Sequence, residues 1–65
     1  MKRHEMRPGQ TIFWHNEEFD GSVTIKAVID KIDGAQIYAT GEGMKLVFDE
    51  SQYSELYRSR EEIRK

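Results

Sequence analysis

The chain has no cysteine, a single proline and no apolar run approaching a membrane span. Without cysteine there are neither disulfides nor thiolate metal sites, a composition at home in a reducing cytoplasm. A bilayer crossing needs about 20 apolar residues. The basic start Met1–Arg7 has no apolar segment behind it, so neither a membrane association nor a secretory signal is expected. A glycine-rich phosphate loop is also missing, since Gly41-Glu42-Gly43 lacks the lysine and following helix that phosphate binding requires. His4 and His15 are far apart without ligand spacing, so no metal site is expected. The carboxylate pairs Glu17-Glu18, Asp49-Glu50 and Glu61-Glu62 are sequence neighbours, whose side chains diverge on a strand or loop. The reading is of a protein that is not an enzyme and holds no cofactor.

A chain of 65 residues makes one domain, and such a domain buries only about 60% of the surface its unfolded chain exposes. Stability is then marginal unless a partner or a second copy adds to it. Ten Lys/Arg against twelve Asp/Glu leave a net charge of −2, which lacks the positive field of a typical nucleic-acid binder. The charges cluster. Lys2, Arg3, His4 and Arg7 lie at the start, Glu17, Glu18 and Asp20 in a polar loop, and Arg58, Arg60, Arg64 and Lys65 at the end. Residues 1–6 are expected to be a flexible basic arm and residues 7–65 the folded domain.

The body reads as β structure. Arg7-Pro8-Gly9-Gln10 is a turn, followed by the β-branched and aromatic strand Thr11–His15. Val23, Ile25, Ala27 and Ile29 alternate with Thr24, Lys26, Val28 and Asp30, a period of two with one apolar face. Ile32 breaks the phase, and a bulge near Asp30-Lys31 would restore it. Asp33-Gly34 suits a two-residue type I′ turn, which would set Ile32 opposite Ala35. Ile37 and Ala39, then Met44, Leu46 and Phe48, continue the inner face. Asp49 is the expected N-cap of a helical or 3-10 turn over 49–53. A last strand, Glu55–Arg58, runs into a helix start in which Ser59 caps Glu62 and the Glu62 carboxylate reaches back to the Ser59 N–H.

These motifs carry a resemblance. Arg7-Pro8-Gly9-Gln10-Thr11-Ile12-Phe13, the central Asp33-Gly34 hairpin and the closing Leu56–Glu62 segment are similar to the opening, hairpin and ending of small Src-homology-3-like β-barrel proteins from phages and mobile elements of Gram-positive bacteria. The resemblance implies an all-β, five-stranded barrel with a short C-terminal helical turn. It also implies a phage-encoded binding module in the cytoplasm of a bacterial host, with no catalytic residues to assign.

The aromatic residues supply the functional expectation. One Trp, three Tyr and three Phe exceed what so small a barrel encloses, and Phe13 and Trp14, as strand neighbours, point to opposite faces. Exposed aromatics mark interfaces. The expected function is a regulatory protein that binds a protein partner, with inhibition of a host factor as one role. Its expected patch comprises Trp14, Tyr38 and Tyr53 framed by Glu17, Glu18 and Asp20. The alternative is a nucleic-acid-binding barrel using Lys2, Arg3, Arg7, Arg58, Arg60 and Arg64 on phosphates with an aromatic for stacking. The negative net charge favours the protein partner. A homo-oligomer is compatible with either.

Overall fold

Alternating apolar residues give five strands: β1 (Thr11–Glu18), β2 (Gly21–Asp33), β3 (Gln36–Gly41), β4 (Met44–Phe48) and β5 (Leu56–Tyr57). The computed structural model describes residues 1–18 and 21–63. 3-10 turns at Arg3–Glu5 and Glu50–Glu55 and a short helix, α1 (Arg60–Ile63), complete the chain. The strands form one antiparallel sheet in the order β4-β3-β2-β1-β5. Because β4 and β5 lie at opposite edges and do not pair, the sheet is open: of the five-stranded barrel expected from sequence the five antiparallel strands and the short helical turn are present, and closure is not.

The long strand β2 joins the two halves. It pairs with β1 from Thr11↔Val28 to Glu18↔Gly21 and with β3 from Val28↔Thr40 to Asp33↔Gln36. The phase slip read from Ile29 and Ile32 is present as a register shift between Ile29 and Lys31. It lets Ile29 oppose Ala39 and Ile32 oppose Ile37, with all four on the inner side. The hairpin beyond it differs from the expected one. Asp33 pairs with Gln36, so the two-residue loop is Gly34-Ala35, and Gly34 has φ 60° while Ala35 keeps a negative φ. Glycine with positive φ at the first loop position is the type II′ pattern. Burial selects this register: an Asp33-Gly34 loop would set Asp30 against the fully buried Ile37, whereas the observed one sets Ile32 there.

One core cluster results, made of Met6, Ile12, Ala27, Ile29, Ile37, Ala39, Phe48 and Leu56. Met6 comes from the segment read as a flexible arm, yet only 2% of its surface is exposed. Ahead of it the Met1 ammonium donates to the carbonyls of Tyr53 and Leu56, both at 2.7 Å. The first residues therefore lie along β5 and the turn before it. Asp49 caps that turn as expected, accepting the Ser51 N–H at 3.0 Å, while Gln52 returns a bond to the Asp49 N–H at 3.0 Å. At the closing helix the Ser59 hydroxyl accepts the Glu62 N–H at 3.4 Å. The Glu62 carboxylate returns to the Arg58 N–H at 2.7 Å, not to that of Ser59. Arg64 and Lys65 lie outside the described residues.

Gly41, at the end of β3, passes so close to β2 that a Cβ there would press on the Lys26 carbonyl oxygen and sit 2.9 Å from the Ala27 Cβ. Both obstacles are held by the β2 ladder and cannot swing aside. Gly41→Ala is expected to cost about 1–3 kcal/mol, the range for overpacking, measured as a fall in thermal midpoint. An unchanged midpoint would show that β2 and β3 are not this closely apposed.

Candidate functional site

The structure does not bring the expected aromatic patch together. Trp14 follows Ile12 on the inner face of β1 and packs edge-on against Phe48, with ring centroids 5.3 Å apart. Its indole N–H donates to Glu55 Oε1 at 3.0 Å. Tyr53 also leans on the core, and its hydroxyl donates to the Ala35 carbonyl. Tyr38 is on the opposite face, with the Lys31 ammonium 4.7 Å above its ring and its hydroxyl donating to Gln36 Oε1 at 2.9 Å. Glu17 sits near the end of β1, 3.8 Å from His15 Nε2. Glu18 pairs with Gly21 across the hairpin, while its side chain, and Asp20 entirely, lie outside the described residues. Two of the three aromatics thus serve packing, and the third faces the other way.

The basic residues of the alternative reading do not form one cationic surface. The N-terminal turn and the tail meet, as that reading needed, but they meet through ion pairs. Arg58 lies 3.0 Å from Glu62 and 3.8 Å from Glu5, with its N–H groups donating to Glu62. Arg3 donates to the Gly34 carbonyl at 3.1 Å. Arg60 is on the far side of the sheet, its guanidinium 5.2 Å from the Phe13 ring centroid. Lys2 and Arg7 are exposed, and Arg64 lies outside the described residues. The groove of 680 Å³ between turn and tail is lined by Glu5, Glu50 and Glu62 against Lys2, Arg58 and the Met1 ammonium, so its charge is internally compensated. Among the described residues no three His, Asp or Glu side chains gather as metal ligands.

Strand β4 presents a different kind of surface. The loop before it, Glu42-Gly43, has φ 50° and 75°, the type I′ pattern, so the flanking pair Gly41↔Met44 closes the hairpin with hydrogen bonds. In an antiparallel ladder hydrogen-bonded and non-hydrogen-bonded pairs alternate. Lys45 and Val47 therefore turn their N–H and C=O groups away from β3, toward the open edge. Among the described residues no other backbone segment bonds to that edge. The side chains beside it are apolar and accessible, with Met44 46% and Val47 50% exposed. Sequence reasoning took Met44, Leu46 and Phe48 as the inner set and gave Val47 no role. The run Leu46-Val47-Phe48 held the signal, because alternation must turn one residue of three consecutive apolar ones outward.

Two outcomes follow from these placements. Removing the indole in Trp14→Ala strips packing from Phe48 and leaves Glu55 without its donor, so a loss of about 3 kcal/mol is expected in chemical denaturation, near the low end for large aromatic truncations. Tyr38→Ala should cost far less. The second outcome concerns acid. The Arg58 side chain holds the Glu62 carboxyl below its ordinary value of 4.5, and the Lys2 N–H does the same for Glu5. Because both folded values are depressed, the stability they give is complete above 4.5 and disappears as pH falls through the lower folded values. Amide signals of residues 58–63 followed by NMR should lose dispersion in that window, and Arg58→Gln should lose it already near neutrality. Indifference to both acid and substitution would mean the pairs do not hold the tail.

No family model, curated protein or solved structure matches this chain.

Proposed function

We propose that this chain is a small, non-enzymatic, regulatory binding module that engages a protein partner, and that the contact is made at the open edge of β4. The observation that carries the reading is the contrast between the two sheet edges. At β5 the Met1 ammonium bonds the carbonyl of Leu56 at 2.7 Å. At β4 the outward backbone groups of Lys45 and Val47 have no partner among the described residues and are flanked by exposed Met44 and Val47. Exposed edges recruit further strands, and soluble proteins normally cover or charge them. Main-chain bonds from an added strand supply affinity, and side-chain pockets supply selectivity. The strand order with a 3-10 turn before β5 supports a Src-homology-3-like architecture of the phage type, a scaffold for binding. The expected Trp14–Tyr38–Tyr53 patch gives way in this proposal to β4.

The test uses the whole protein as bait in Gram-positive host lysate, with Val47→Lys as the paired control. An exposed position accepts that change without unfolding, while a charge at the centre of the edge opposes strand addition. A protein retained by the parent and lost on Val47→Lys, whether from the lysate or an untagged copy of the chain added to it, is expected. Retention indifferent to Val47, or co-purification of nucleic acid in place of protein, would overturn the reading.

A further inference from the structure

We infer that the strand added at β4 is β4 of a second copy, giving a two-fold dimer centred on Val47. This rests on the assignment of β4 as a protein interface and specifies its occupant. A two-fold axis perpendicular to the sheet keeps both inner faces on one side, and paired residues must then share a face, so the axis passes midway between the two copies of one residue. Three centres lie inside the strand, away from its end residues Met44 and Phe48. At Lys45 the two ammonium groups would oppose each other. At Leu46 each Lys45 would face Val47 of the second copy, and Glu42 would face Glu50. At Val47 the charges match: Lys45 of each copy opposes Asp49 of the other, Val47 opposes Val47, and Leu46 opposes Phe48.

The local geometry suits this register. Asp49 continues the extended path beyond β4 with φ −104° and ψ −179°. Its Oδ1 takes both the Ser51 N–H at 3.0 Å and the Ser51 hydroxyl at 2.5 Å. Its Oδ2 is left for Lys45 of the other copy, an ammonium with no carboxylate in salt-bridge range among the described residues. The outward N–H and C=O of Val47 pair reciprocally across the axis, while the Asp49 N–H stays with Gln52 Oε1 and the Asp49 carbonyl, which already accepts the Gln52 N–H at 3.0 Å, has one lone pair left for the Lys45 N–H opposite. The half-exposed Val47 becomes a buried cross-strand pair, and two five-stranded sheets join into one continuous sheet. A single pair of short edge strands buries less than about 1,200 Å², the class of reversible interfaces. The dissociation constant is accordingly set at about 10–100 µM.

Analytical ultracentrifugation of the full chain over a concentration series spanning that range reads the outcome directly. The weight-average mass should rise from 7.7 kDa toward twice that value, and Val47→Lys should hold it at the monomer with its circular dichroism unchanged. Lys45→Asp and Asp49→Lys should each weaken self-association at least tenfold. Mixed together they should associate with each other, since the introduced aspartate of one variant then meets the introduced lysine of the other, and the retained Asp49 of the first meets the retained Lys45 of the second. Asp49→Asn keeps the cap and removes the charge, and its weakened dimer separates the ion pair from any damage to the turn. A monomer throughout the series would overturn the inference, and if Val47→Lys still abolished capture of a host protein the interface reading would survive without it. A dimer that persists in Val47→Lys, or charge variants that fail to associate on mixing, would also overturn the proposed pairing.

Discussion

One inserted residue, Asp30, sets the course of the whole sheet. β2 runs for 13 residues, too long for a single flat strand to bury one face against so little protein. The bulge between Ile29 and Lys31 bends it and shifts its phase. Ile25, Ala27 and Ile29 therefore face the core beside β1, and Ile32 faces it beside β3. Asp30 itself turns outward and accepts the Thr40 hydroxyl at 2.5 Å, so the unpaired position carries a polar group into solvent. Remove the slip and every inner residue beyond it changes face. Ile37, Ala39 and Phe48 would then lose the surface they pack against.

That constraint explains which parts of the fold were readable in the sequence. The slip was legible because four apolar positions in strict alternation, Val23, Ile25, Ala27 and Ile29, were followed by Ile32 at an odd spacing. The Asp49 cap was legible because its chemistry is local. The hairpin after the bulge was not, since Asp33-Gly34 and Gly34-Ala35 are both good two-residue loops. The choice between them depends on which residue ends opposite Ile37, a matter of burial and not of turn propensity. Met6 escaped notice for a related reason: one methionine among basic residues has no period, and only the folded core reveals the gap it fills.

The candidate site was legible in smaller measure. Counting aromatics identified residues that a small core has difficulty enclosing, but not which of them it encloses. Trp14 keeps its polar end on Glu55 and lays its ring on Phe48, as amphipathic rings do at the margins of small cores. The sequence left the positions of arm and tail open, and only the alternative reading would have had them form one basic face. Glu5 and Glu62, each within reach of Arg58, convert it to an ion-paired clasp. An edge strand, by contrast, is defined by what lies beside it, so β4 could be recognised only once the strand order was known.

The pairing of β1 with β5 bears on how the chain reaches this structure. Every other ladder joins strands consecutive in sequence, so short loops close them early. The β1–β5 ladder joins Phe13 to Tyr57 and Trp14 to Leu56 alone, across most of the chain and with little backbone bonding to reward closure. Its strength lies in Leu56, fully buried, and in the packing of Met6 and Trp14 around it. The meander β1–β4 needs only short loop closures, whereas β5 meets β1 across most of the chain and is held there together with the N-terminal residues. Joining β1 to β5 is thus the costliest of the four ladders in loop-closure entropy, a term that loop composition in the meander leaves untouched.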